Sequence, residues 1–353
     1  MVKVWIDILT PKQALLFGTI AKKLTDIGFK VYVTTRKYDY TMGVLDVLGV
    51  KYDVIGAYGG KTLFGKLKAD IKRMSTLIEL IKDFSPNYLL AYPNPSASRV
   101  AYGLGVSYIA FTDSPHSVHA SRLSLPLASA VIFPKAIPIN EIKAYTHPST
   151  MLVPYDGVDE VLWLKEFKPK PEELRELGIE PYEYIIIRPA EIYASYYKYS
   201  IDFTYLVKQL SKYFKILLLP RYKEDFNKYK GVSNVILPEK AVYGPNVIYH
   251  SLLVISGGAT MTREAALLGI PAINLYPEEL YVDTYIKSKG LPLFKVKSLE
   301  KALNLALEIS KDPKKYRVNS LNILKAMEDP FTKLLEVLKY YEENIDSNRR
   351  SRK

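Results

Sequence analysis

The chain of 353 residues has no cysteine, which excludes disulfides, a thiolate nucleophile and cysteine-ligated metal together. Long hydrophobic runs are missing as well: none approaches the roughly 20 apolar residues that a membrane-spanning helix needs. At its amino end "MVKVWIDI" lacks the basic stretch, apolar run and cleavage site of a secretory leader. A cytoplasmic location is the resulting expectation. There is no internal repeat at solenoid spacing, and no low-complexity tract apart from the polar tail "DSNRRSRK". What is present is the mixture of a globular protein, 48% apolar and 24% charged. The net charge of +12 owes four positives to Arg349, Arg350, Arg352 and Lys353 in that tail. Such a balance suits phosphates, anionic lipid or nucleic acid without choosing among them.

Short apolar runs alternate with helix-period segments. "KVWIDI", "KVYVTT", "KYDVIG", "NYLLAY", "SYIAF" and "AVIFP" fill the first half, and "YIIIR", "KILLLP", "NVIL", "LLVIS" and "AINLY" the second. This repetition predicts an α/β protein with parallel sheets wrapped by helices on both faces. The length is more than one core usually organises, so two doubly wound, Rossmann-like domains are expected. Their joint falls near "LVPYDGVDEVLWLKEFKPKPEEL", giving domains at 1–155 and 156–330, a helix at 331–344 and a flexible basic tail at 345–353. An interdomain cleft is then the default ligand site.

In "ISGGATMTREAALLGIP" a strand ends at Ser256, and Gly257 and Gly258 allow a tight turn and close approach to a ligand. Thr260 or Thr262 is positioned to cap the next helix, whose free amides suit a phosphate. Glu264, early in that helix, is placed to accept hydrogen bonds from a sugar diol. The same pattern also serves a plain strand-to-helix turn with an acidic residue favouring the helix dipole.

The stretch Ser256, Gly257, Gly258, Glu264, Gly269, Pro271 resembles the donor-site segment of GT-B glycosyltransferases, including the lipid-linked N-acetylglucosaminyltransferase of peptidoglycan synthesis, and of UDP-N-acetylglucosamine 2-epimerases. "VPYDGVDEVLWL" is similar to the interdomain linker of many GT-B enzymes. Across nearly the whole chain, "WIDILTP", "PSASRVAYGLG", "FTDSPHSVHASRLSLPLA", "YDGV", "RPAEIYASYY", "LPRYKED" and "SGGATMTREAALLGIP" resemble DUF354, an archaeal and bacterial family regarded as GT-B-like. The resemblance implies a GT-B-like fold binding a nucleotide-diphosphate sugar, preferably UDP-linked, as substrate and with no cofactor. Gly258, Ala259 and Thr260 would hold the diphosphate and Glu264 the ribose hydroxyls. GT-B enzymes often carry a glycine-rich loop with a histidine after the first strand; here the sequence reads "DILTPKQALLF", and a base from that loop is not expected.

Arg188 and Arg221 each follow a strand of the second half and would aim at phosphate oxygens across the cleft. Asp283 could accept from donor-sugar hydroxyls or lie on a solvated helix face. For acid–base work the first half offers Asp7 at the end of its first strand and Asp113, His116 and His119 after "SYIAF". His116 is the expected base with Asp113 as partner or alternative, against the reading that both cap a turn. On one turn these side chains need not converge, so no metal is assigned. Ser96 or Ser98 at a helix start, with Arg99 in the first turn, could hold an acceptor phosphate or carboxylate, or simply cap the helix.

"TLFGKLKADIKRMSTLIELIKDF" sets apolar residues at helical spacing with Lys66, Lys68, Lys72 and Arg73 on other faces. It would pack on the sheet with its lysines in water, or rest on anionic lipid, which would suit a lipid-linked acceptor and a station peripheral to the membrane. Three functions follow: glycosyl transfer to an unidentified acceptor, sugar-nucleotide epimerisation, and non-catalytic nucleotide-sugar or nucleic-acid binding. Nucleic acid is disfavoured, since no helix-turn-helix, zinc finger or RNA-stacking motif occurs.

Overall fold

A computed structural model describes residues 1–38, 40–60, 62–190, 201–221 and 223–350. Most of "RPAEIYASYY", Tyr222 of "LPRYKED" and the last three residues of the basic tail lie outside them. The first half forms seven strands: β1 (Lys3–Ile8), β2 (Lys30–Lys37), β3 (Asp53–Ala57), β4 (Tyr88–Ala91), β5 (Ser107–Phe111), β6 (Ala130–Pro134) and β7 (Met151–Tyr155). The second half forms six: β8 (Tyr184–Arg188), β9 (Lys215–Leu218), β10 (Val235–Ile236), β11 (Leu253–Ser256), β12 (Ala272–Asn274) and β13 (Leu293–Lys295). All pairings are parallel, in the orders β3-β2-β1-β4-β5-β6-β7 and β10-β9-β8-β11-β12-β13. Both sheets therefore reverse direction beside their first strand, which is where doubly wound domains bind ligands.

The strands are apolar runs without alternation because both faces are covered; β8, for example, buries Tyr184, Ile185, Ile186 and Ile187. Two of the 13 strands among the described residues, β7 and β13, are not among the expected runs. One buried apolar layer continues from Val4, Ile6 and Leu90 of the first domain through Val158, Trp163 and Leu174 to Ile186 and Val254 of the second. The halves thus share hydrophobic packing beyond the covalent link.

The chain crosses between domains twice. The first crossing is the stretch after β7. The second follows Met327 into the helix Pro330–Arg350, which packs back on the first sheet, where the Tyr341 hydroxyl donates to the Ser129 carbonyl at 2.9 Å. The crossings touch: Glu328 N donates to the Asp156 carbonyl at 2.8 Å, and Gly157 lies so close to the Glu328 backbone that no side chain would fit.

The helix Leu63–Phe84 is capped by Thr62, whose hydroxyl accepts from Gly65 N at 3.0 Å. Its later turns bury Leu77 and Ile81 on the sheet. Its first turns do not follow suit: Leu63, Phe64, Leu67 and Ile71 stand in solvent.

Candidate functional site

A cavity of about 300 Å³ opens between the carboxyl ends of the two sheets. The second domain contributes Arg188, Arg221, Gly257, Gly258, Ala259, Thr260 and Glu264; the first contributes Lys12, Tyr92, Asp113 and His116. On the second-domain side β11 ends at Ser256, and the helix Ala259–Leu267 starts with Gly258 as its N-cap. Neither threonine caps it. The Ser256 hydroxyl accepts from Gly258 N at 3.0 Å, but Gly258 has no side chain to cap the amides that follow it, so the amides of the first turn keep their capacity to bind an anion. Gly257 is fixed sterically: a Cβ there would come within 2.6 Å of the Ala190 Cβ and 2.8 Å of its nitrogen. Gly258 leaves room for a ligand beside the Arg221 guanidinium, whose Nη2 stands 3.1 Å from where a Cβ would be. Arg221 Nε donates to the Pro189 carbonyl at 3.0 Å, which aims the fork. Arg188 is in register with Ser256 on the neighbouring strand.

Glu264 is buried, and its Oε1 accepts from Trp163 Nε1 at 2.8 Å. Burial pushes its carboxyl up to about 8, only partly offset by the Trp163 hydrogen bond, with Glu160 adding to the rise. At neutral pH this group is largely protonated, so it carries both a donor and an acceptor.

Across the cavity Asp113 accepts from Lys12 Nζ at 2.5 Å, from Arg263 Nη1 at 2.7 Å and from the Ser114 hydroxyl at 2.6 Å. Burial alone would raise its pKa, but Lys12 and Arg263 outweigh that and hold the carboxylate well below the usual range. Asp113 is therefore a fixed negative charge and a poor proton acceptor. His116 is the opposite case. Burial lowers its pKa despite the nearby Asp113, so the ring is neutral near pH 7. His119 is exposed and does not line the cavity.

Several expected residues are placed elsewhere. Asp7 is wholly buried and outside the cavity, accepting from Arg73 Nη2 at 2.9 and 2.7 Å, Asn94 Nδ2 at 2.9 Å and the Thr34 hydroxyl at 2.8 Å. With both oxygens occupied, it holds strand ends together. Asp283 accepts from Arg263 Nε at 2.6 Å and Asn274 Nδ2 at 3.0 Å instead of facing a sugar. Ser96 bonds Asp70, Ser98 is buried, and Arg99 is exposed; none lines the cavity.

Lys12, Arg263 and Trp163 were missed from sequence. Lys12 bridges Asp113 and, at 2.7 Å, Asp159 of the linker. Arg263 ties Asp113 of the first domain to Asp283 of the second, with Glu160 at 3.6 Å. The available signals were the acidic pair in "YDGVDE" and a basic residue next to Glu264.

Two Rossmann-like domains with a cavity at their facing strand ends define a GT-B-like protein. The chain belongs to DUF354, a family described as a protein of unknown function, whose model matches residues 2–343. It is 30% identical over 295 residues to an uncharacterised protein of Methanocaldococcus jannaschii, covering 81% of this chain and 85% of that one. Its fold is similar to the UDP-GlcNAc 2-epimerase of M. jannaschii solved with UDP-GlcNAc and UDP, with TM-score 0.68, 14% identity and 96% and 100% of the two chains covered. It is also similar to a structure described as the glycotransferase of kitacinnamycin, with TM-score 0.59, 10% identity and 96% and 98% covered. Among the described residues no helix is long and apolar enough to cross a membrane.

Proposed function

We propose that the chain binds a UDP-linked sugar in the interdomain cavity and transfers the sugar to an acceptor hydroxyl. The observation that carries this reading is the uncapped start of the helix Ala259–Leu267, which shares one cavity with Arg188, Arg221 and buried Glu264. The pyrophosphate lies on the helix amides between the two guanidinium forks, and the nucleoside diol reaches Glu264. In the transfer step the acceptor oxygen bonds to the anomeric carbon as the bond from that carbon to the phosphate oxygen breaks. The electron pair leaves with the diphosphate, and the hydroxyl proton passes to His116.

A second reading, epimerisation of the sugar nucleotide, is favoured by the likeness to an epimerase solved with UDP-GlcNAc. Removing a proton from one face of a sugar and returning one to the other needs two proton-active groups. With Asp113 held as a fixed anion, the described lining offers His116 and the largely protonated Glu264 for that work, so the lining suits either reaction.

Calorimetric titration with UDP, UDP-N-acetylglucosamine and a nucleic-acid control tests the binding. A nucleotide sugar should bind saturably, and Glu264→Ala should weaken it about tenfold or more by removing the diol contact. A salt-sensitive response to nucleic acid alone would overturn the reading. Product analysis then separates free UDP plus glycoside from an altered sugar nucleotide.

A further inference from the structure

The first turns of the helix Leu63–Phe84 present apolar side chains that nothing among the described residues covers. Fractional exposure is 82% at Leu63, 76% at Phe64, 60% at Leu67, 54% at Ile71 and 40% at Ile78. At about 100° per residue these five fall within an arc of about 100°, beside the buried face that carries Arg73, Leu77 and Ile81. They form one stripe, and exposure falls steadily along it from the amino end. Exposed Lys68 and Lys72 border the stripe on its solvent side. Behind its tip, Lys66 lies 5.7 Å over the Tyr58 ring, and Arg36 lies between Tyr38 and Tyr58 at 5.0 and 5.4 Å.

We infer that this stripe docks the protein on an anionic lipid bilayer. An apolar face bordered by lysines, with tyrosines and cations behind it, matches the succession from acyl chain to charged headgroup. A second copy of the chain fits less well. A side-by-side helix pair would bury the stripe evenly, whereas the observed gradient is that of an end that dips into a surface.

The docking face begins at the end of the first sheet that also faces the cleft. The helix Leu63–Phe84 follows β3, so its amino end lies at the carboxyl ends of the first sheet's strands. Asp70 in its second turn bonds Ser96, at the start of the helix Pro95–Gly103 that follows β4. A docked molecule would hold the first-domain side of its cavity near the headgroups. If the transfer reading holds, the acceptor is then lipid-borne; the docking itself does not depend on that reading.

Sedimentation of the full chain with vesicles tests the proposal. Expected is binding to phosphatidylcholine–phosphatidylglycerol vesicles and none to pure phosphatidylcholine. Phe64→Glu with Leu67→Glu should weaken it about tenfold or more. Lys68→Glu with Lys72→Glu should weaken it as well, and high salt should mimic that pair. Tyr213→Glu, at an exposed position in the other domain, should bind like wild type. Failure of the wild type to bind anionic vesicles, or unchanged binding by Phe64→Glu with Leu67→Glu, would overturn the proposal. So would light scattering that finds a wild-type dimer, without vesicle affinity, turned monomeric by that double substitution. Nucleotide-sugar titration of each variant should match wild type, which keeps failure of the docking distinct from failure of the cavity reading.

Discussion

β4 and β11 hold the same station in their sheets, each beside the first strand where the order reverses, and each leads into a nine-residue helix. Their turns are opposites. After β4 the turn contains Pro93 and Pro95, and Asn94 caps the helix by accepting from Ala97 N at 3.2 Å while its amide binds Asp7. After β11 the turn is Gly257 and Gly258, and the N-cap residue makes no side-chain cap hydrogen bond. One domain satisfies its switch point from within; the other leaves the amides of its first helical turn open, as the proposed anion site requires. In that proposal the absent cap matters as much as the arginines that are present.

That contrast is open to direct attack, and the largest effect is expected at the sealed end. Asp7→Ala would leave Arg73 buried without its carboxylate, so urea unfolding should show a loss of about 3–5 kcal/mol. Nucleotide affinity measured on the folded fraction should stay unchanged; a selective loss of turnover with stability intact would instead return Asp7 to the chemistry. Next comes closing the open end. Gly258 has φ −119° and ψ 161°, the extended geometry of a capping residue, so Gly258→Asp should cap the helix and pair with Arg221. Stability should rise by up to about 1 kcal/mol, while nucleotide-sugar affinity falls about a hundredfold or more as the carboxylate takes the phosphate's place. Undiminished binding would remove the helix start from the site.

The smallest effect is a pH dependence. The folded-state pKa of Glu264, about 8, lies above its ordinary 4.5. Between those values the folded protein holds a proton that the unfolded chain releases. Stability from this group is therefore complete below 4.5 and declines as pH rises to about 8. Glu264→Gln cannot titrate and should gain on wild type by about 1 kcal/mol per pH unit between pH 6 and 7, read from urea midpoints. A constant difference across that range would mean the carboxyl is already ionised.

The open turn was legible in the sequence because every part of it is local: an apolar run, two glycines and a helix lie within 17 residues of chain. The parallel sheets were legible for the same reason, through runs such as "YIIIR" that both faces bury. β13, of three residues, is too short to stand out between Pro292 and the charged segment after it. The electrostatics of the cavity were not legible, because they depend on pairs that only the fold creates. Trp163 meets Glu264 across 101 positions and Arg263 meets Asp113 across 150. For Asp283 the sequence leaves a sugar contact and a solvated helix face open; neither foresees that Arg263 engages the carboxylate in the buried interior. The helix Leu63–Phe84 was read as one amphipathic surface, whereas only its second half has a sheet beneath it.

The contact between Gly157 and Glu328 has a mechanical consequence. A single linker would let one domain swivel freely against the other. Here two strands of chain pass between the domains at one place and grip each other by backbone, as two pins share one knuckle. Twisting would shear the Glu328–Asp156 hydrogen bond, while opening about the line of the two crossings would spare it. Opening in that direction must instead break the buried pair between Arg263 and Asp113, so the crossings set the axis of any widening and that ion pair sets its cost.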